Sequence, residues 1–193
     1  MAKKLYERKI TTPYGDKTVA VLAGDMLSVD ERIDVLTVSS FARSYQPTPF
    51  TLFGSLYKAG IDVQWLAQDP YIDLRDTCDV WLSHAVENPH HDIGRIGCVE
   101  MRGFYAALDS PLEAIRAYFH LLDLATIAGV EIKTLALPLL GAGAERMNAA
   151  LVLIPIVSEC LAFLHRNPCI EKILFVDIKE ARAAAFVETL TTM

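Results

Sequence analysis

The sequence predicts an α/β protein, a three-layer α/β/α sandwich built on a mixed, largely parallel sheet. Three observations predict it. Short apolar, β-branched runs recur along the chain without the strict alternation of a half-solvated strand, which suits strands buried on both faces. Longer apolar stretches separate them in the second half and carry helix punctuation, with Pro at a start and Gly just past an end. The resulting strand–helix–strand order is that of a sheet covered by helices on both faces.

The elements follow in order. Residues 17–23 form a β-rich run that leads into Gly24-Asp25, and residues 32–39 (Ile33, Val35, Leu36, Val38) form a second strand. Residues 50–59 predict a short helix with Phe50, Phe53, Leu56 and Tyr57 on one face, and Gly60 sits just past its end. Residues 79–84 and 95–101 are two more strands, with a loop between them that holds Pro89, His90, His91 and Asp92. Ser110 is a candidate N-cap and Pro111 the first position of a helix that runs to about Ala128 and stops at Gly129. A strand over 132–137 precedes the turn Gly141-Ala142-Gly143-Ala144. A helix over 149–165 ends at Asn167-Pro168, a strand covers 172–178, and a last helix covers 180–191. There is no internal repeat and no low-complexity linker, so residues 1–193 are expected to form a single domain.

Bulk properties narrow the function. Hydrophobic residues make up 52% of the 193 and charged residues 22%, the composition of a folded globular chain rather than a disordered one. The apolar stretch 149–164 is interrupted by Pro155, Ser158 and Glu159, so no membrane span is expected. The charged start MAKKLYERK lacks an apolar signal core, which predicts a cytoplasmic protein. Cys78, Cys98, Cys160 and Cys169 show no paired spacing and read as free thiols. A net charge of −6 argues against a broad nucleic-acid footprint but leaves room for a small anionic ligand in a local pocket.

The segment 134–146, TLALPLLGAGAER, carries the most chemistry. A buried strand, a small-residue turn and a helix start bring successive backbone N–H groups to one point, where they can hold an anion. The same residues also suit a packed strand–helix corner in which glycine relieves crowding. In open α/β sheets ligands sit beyond the carboxyl ends of the strands, which is where this turn falls.

Several segments in the same order resemble the macro domain, the ADP-ribose-binding module. VAVLAGDM at 19–26 resembles that family's opening strand and Gly-Asp signature, and IDVLTVSS at 33–40 its second strand. VEIKTLALPLLGAG at 130–143 resembles the strand and phosphate loop, and 173–178 with the following helix the closing pair. The resemblance covers most of the chain and leaves 70–94 least accounted for. It implies that Asp25 recognises adenine, a carboxylate accepting from an exocyclic amine. It implies that Gly141, Ala142, Gly143 and Ala144 give amides to a diphosphate.

The chain also departs from the family pattern. Where the family has an asparagine-rich strand end, Val38-Ser39-Ser40-Phe41 stands here. Where it has a glycine-rich loop, residues 43–49 carry two prolines and no glycine, and the family's aromatic in the second loop is replaced by Glu145-Arg146. These departures favour binding over hydrolysis. Ser39 and Ser40 stand at a strand end without a Gly-x-Ser-x-Gly elbow and read as hydroxyls that bond a ligand or the neighbouring backbone. Arg43 and Arg146 are candidate phosphate clamps, because a guanidinium pairs with two phosphate oxygens at once. Asp177 either contacts the ligand or caps the helix that starts near Glu180. Tyr45 and Phe41 are candidates to stack on an adenine or ribose, with a core role as the alternative for Phe41. His90-His91-Asp92 lacks the spacing of a metal site, and no metal or cofactor is expected.

The expected function is therefore recognition of ADP-ribose or a related phosphate-containing nucleotide derivative, with little or no catalysis. A hydrolase of ADP-ribosyl or related phosphoester substrates, and a ligand-free assembly scaffold, are the alternatives. The apolar content, with Trp65, Leu66 and Trp81, also allows a homo-oligomer.

Overall fold

The computed structural model describes residues 2–88, 90–101, 111–140 and 149–193. Among them the strands are β1 (Lys3–Thr12), β2 (Gly15–Ala23), β3 (Ile33–Phe41), β4 (Pro70–Leu74), β5 (Val80–Ser83), β6 (Ile93–Met101), β7 (Thr134–Leu137) and β8 (Lys172–Asp177). They form one sheet in the order β1-β2-β8-β7-β3-β6-β5-β4. The central five, from β2 to β6, are mutually parallel, and the pairs β1–β2, β5–β6 and β4–β5 are antiparallel. The sheet is thus mixed and largely parallel, as the sequence predicts.

The α-helices are α1 (Leu52–Lys58), α2 (Val63–Leu66), α3 (Arg75–Cys78), α4 (Pro111–Ile127), α5 (Ala149–Arg166) and α6 (Glu180–Thr192). Alternation along the strands divides the core in two. Val35, Val99, Leu135, Ile173 and Phe175 pack with Tyr118 and Phe119 of α4, Phe163 of α5 and Phe186 of α6. Leu36, Val38, Cys98, Ala136 and Leu174 face Leu56, Ile61, Val63 and Leu66 in and around α1 and α2. This is the three-layer sandwich.

The predicted glycine stops work as Schellman caps. Gly129 takes φ +89°, its N–H bonds the Thr126 carbonyl at 3.0 Å, and the Val130 N–H reaches back to Ala125 at 2.9 Å. Gly60, at φ +84°, repeats the pattern, with Gly60 to Tyr57 at 3.0 Å and Ile61 to Leu56 at 2.9 Å. Pro111 opens α4 as expected; the cap assigned to Ser110 lies outside the described residues.

Two expectations need correction. Phe50 is not part of the first helix: Thr51 is its N-cap, accepting from Gly54 N–H at 3.1 Å, and Phe50 stands fully exposed at φ +63°. Tyr57 is also exposed, so the buried face of α1 is narrower than the pattern of four apolar residues implies. Segment 70–94, the least accounted for, extends the sheet through the antiparallel strands β4 and β5. The charged start of the chain is strand β1, paired with β2 along its length. Among the described residues no helix is long and apolar enough to cross a membrane. The cysteines are free: Cys98 and Cys160 are buried, Cys78 is half-buried and Cys169 is exposed.

Candidate functional site

Strand order locates the site. From β3 the chain moves outward to β4, β5 and β6, whereas from β7 it moves the other way to β8. Adjacent strands whose connections diverge leave a crevice beyond their carboxyl ends. That rule points to the end of the sheet where Ser39-Ser40-Phe41 closes β3 and Pro138-Leu139-Leu140 follows β7. Leu139 and Leu140 are buried in the core cluster that packs with α4, α5 and α6. Gly141, Ala142, Gly143, Ala144 and Arg146 come next in the chain and lie outside the described residues, as do residues 102–110 after β6.

Asp25 stands two residues past the end of β2, where Ala23 pairs in register with Asp177 of β8. Gly24 makes this exit: it takes φ +146°, and its N–H bonds the Asp177 carbonyl at 2.9 Å. A Cβ there would come within 2.8 Å of the Ala2 backbone, so only glycine fits. Asp25 is exposed and N-caps a single 3₁₀ turn, Met26–Ser28, through Oδ1, which accepts from Leu27 N–H at 3.0 Å. Oδ2 has no protein partner among the described residues. The carboxylate is thus fixed in place with one oxygen turned outward.

Asp177 is used differently. It is 4% exposed, and Oδ1 accepts from the Lys179 N–H and from Arg182 Nε, each at 2.9 Å. These bonds close a turn just ahead of α6, whose N-cap residue is Lys179 and carries no side-chain cap. Ser39 is half-buried and pairs with Val99, while Ser40 is 3% exposed and lies 3.5 Å from Cys98 Sγ on the α1–α2 side of the sheet. Ser40 is therefore a core hydroxyl rather than an open one. Arg43 sits at φ +56°, and its guanidinium is paired with Asp76 on the exposed surface. Phe41 is 41% exposed and Tyr45 8% exposed, so Phe41 remains available for stacking and Tyr45 belongs to the core.

Tyr45 leads to a cluster that the sequence reading missed. Its hydroxyl donates to Glu100 Oε1, on the last turn of pleat in β6, and accepts from Arg75 Nη1 at 3.4 Å. Glu100 is 1% exposed. Arg75 also donates to the Ala67 carbonyl at 2.8 Å and forks onto Asp73, and it lies 5.9 Å from the Trp81 ring centre. Trp81 meets Tyr45 edge to face at 5.6 Å. Burial pushes the Tyr45 phenol well above its ordinary pKa, the hydrogen bond from Arg75 opposing, while the Asp73 hydrogen bond raises Arg75. The cluster fastens the segment after β3 to the sheet beside the crevice. One signal was present in the sequence: a glutamate within the otherwise uncharged run that starts at Ile96 has to find an internal partner once that run is buried.

His90 and His91 lie on the loop before β6, and their N–H groups bond Asn88 Oδ1 at 2.9 and 3.0 Å. Among the described residues no group of three His, Cys, Asp or Glu is placed to hold a metal ion.

No protein-family model matches the chain, and no curated protein matches it by sequence. Solved structures do match by shape. A variant of the Oceanobacillus iheyensis macrodomain with ADPR aligns with a TM-score of 0.71 at 13% identity, over 97% of this chain and 98% of that one. The Oceanobacillus iheyensis macrodomain with ADP gives 0.70 at 13% identity, over 97% of both chains. The Trypanosoma brucei macrodomain in complex with ADP-ribose gives 0.63 at 12% identity, over 89% of this chain and 68% of that one. Identities this low establish shared architecture.

Proposed function

From a chain with the macrodomain fold, we propose a binding module that recognises ADP-ribose or a related phosphate-containing nucleotide derivative at the carboxyl ends of β2, β3, β7 and β8. The observation that carries this reading is Asp25. Its carboxylate is exposed, held by the Leu27 amide, and carried on a glycine exit at the edge of the crevice. An acceptor so placed suits the exocyclic amine of adenine. The neighbours solved with ADPR, ADP and ADP-ribose support the same ligand class. Amides of Gly141, Ala142, Gly143 and Ala144 hold the diphosphate in this reading. Arg146 adds charge there, and Arg43 joins it if Asp76 releases its guanidinium. Recognition without catalysis is the simplest mechanism, because Ser40 is buried against Cys98 and Asp177 is committed to Arg182.

Calorimetry with ADP-ribose, beside AMP and inorganic diphosphate, tests the proposal. Micromolar binding to ADP-ribose that is lost in Asp25→Ala is the expected result. No heat at millimolar ADP-ribose, or equal affinity in the variant, overturns it.

A further inference from the structure

The opposite end of the sheet holds a cleft of about 320 Å³. It opens where β3 and β6 begin and α4 ends, and Asp34, Arg95, Tyr71, Gly129 and Glu131 line it together with Arg32. That volume lies at the lower end of small-molecule sites.

The lining charges are not equally available. Asp34 Oδ2 accepts from the Lys133 and Thr134 amides at 2.8 and 2.9 Å, and Oδ1 accepts from Arg32 Nε at 2.8 Å. Arg32 also reaches Asp92 at 2.7 Å, and Glu131 pairs with Lys133 at 3.2 Å. Arg95 stands apart. It donates through Nη1 to the Ser83 carbonyl at 2.8 Å and lies 4.7 Å over the Tyr71 ring. Tyr71 is itself braced edge to face by His84 at 5.5 Å. Among the described residues no carboxylate meets Arg95, and its remaining nitrogens are neither bonded nor sealed from solvent. The contrast appears in acidity. The Asp34 hydrogen bond raises the pKa of Arg32, whereas burial lowers that of Arg95, with the Tyr71 phenol opposing. The Gly129 wall of the cleft is open: a Cβ built there would meet nothing within 4 Å.

We propose that this cleft is a second binding site, for a small anion bearing a carboxylate or phosphate group, with Arg95 as the residue that recognises it. Ring and backbone hold the guanidinium in place, so little side-chain freedom is lost when its two outward N–H groups fork onto an oxyanion. Tyr71 and the small residues Ala128 and Gly129 form the walls. The site lies at the amino ends of the strands, away from Asp25 at their carboxyl ends.

The test is an NMR titration of the whole chain with inorganic phosphate and, separately, with succinate. The resonances followed are the Gly94 and Gly129 amides and the Arg95 Nε–H. Saturable shifts are expected in the native protein and in Asp25→Ala. Arg95→Gln should lose them. Because Arg95 also bonds Ser83, a second variant, Ala128→Glu, leaves it in place and sets a competing carboxylate in the cleft; it too should lose the response. A response to phosphate alone or to succinate alone supports the site and assigns the anion. No saturable shift with either anion, or shifts that persist in both cleft variants, overturns the proposal.

Discussion

Replacing Tyr45 with phenylalanine removes one oxygen and little else, which makes it a direct probe of the cluster that anchors the segment after β3. The ring keeps its edge contact with Trp81, 5.6 Å away at 85°. What is lost is the hydrogen bond to Glu100, whose carboxyl is 1% exposed, and the long contact from Arg75 at 3.4 Å. A hydrogen bond to a charged group is worth about 1.5–3 kcal/mol, and the acceptor left behind is too buried for water to replace the phenol. We expect a loss of about 2 kcal/mol in urea unfolding and, for a chain of this size, a fall of roughly 4–8 °C in Tm. The double variant Tyr45→Phe/Glu100→Gln should lose less than the sum of the two single changes, because both act on the same hydrogen bond. A loss below about 0.5 kcal/mol, or strict additivity, would refute the idea that this pair fastens the segment to the sheet.

Other expectations follow from single contacts. Gly97→Ala sets a Cβ within 2.4 Å of the Tyr118 hydroxyl, which is fully buried and 2.7 Å from Thr37 Oγ1. It should destabilise by about 1–3 kcal/mol in urea, with part of the loss recovered when Tyr118→Phe is added. Arg182→Met leaves the buried Asp177 carboxylate without its cation and should cost about 2 kcal/mol by thermal unfolding, less than a fully buried pair because Arg182 is partly exposed. Asp25→Asn keeps the acceptor for the Leu27 N–H but removes the charge; its Tm should match the native protein while affinity for ADP-ribose falls about tenfold by calorimetry. The Arg75 hydrogen bond holds the Asp73 carboxyl below its usual range. The unfolded chain therefore takes up that proton first, and the stabilisation is complete above the unfolded value of about 3.9 and vanishes as pH falls through the folded one. Asp73→Asn should be less stable than the native protein at neutral pH, with the difference shrinking as pH falls below about 3.9 in urea titrations.

The sequence made the central architecture legible where backbone chemistry leaves a local mark. Gly60 and Gly129 mark helix ends because the left-handed turn needs them, and Pro111 marks a start because its missing N–H costs nothing there. Strand β1 escaped because it is a half-exposed edge: Lys3, Lys4, Glu7 and Lys9 face water and break the apolar run by which buried strands are recognised. Phe50 was drawn into α1 by its apolar side chain, while the cap that sets the boundary belongs to Thr51. Near the candidate site, the turn that carries Asp25 was legible because Gly24 before it takes φ +146°. Glu100 and Arg75 were not, since the residue that joins them, Tyr45, lies 55 positions from one and 30 from the other. Arg95 was likewise hidden: its availability depends on which acids Arg32 and the Lys133 and Thr134 amides have already taken.

The two ends of the sheet bear on how the protein behaves in a crowd. An unpaired strand invites another chain to add to it, and the long flank of β1 is guarded by Lys3, Lys4, Arg8 and Lys9, which would face like charges across any symmetric addition. The flank of β4 is only five residues long, opens with Pro70 and is broken in register before Ile72. Neither border offers a clean template, so copies of this chain that meet at high concentration should associate through their helical faces, where Ile127 and Ile154 lie open, and not by lengthening the sheet into a fibre.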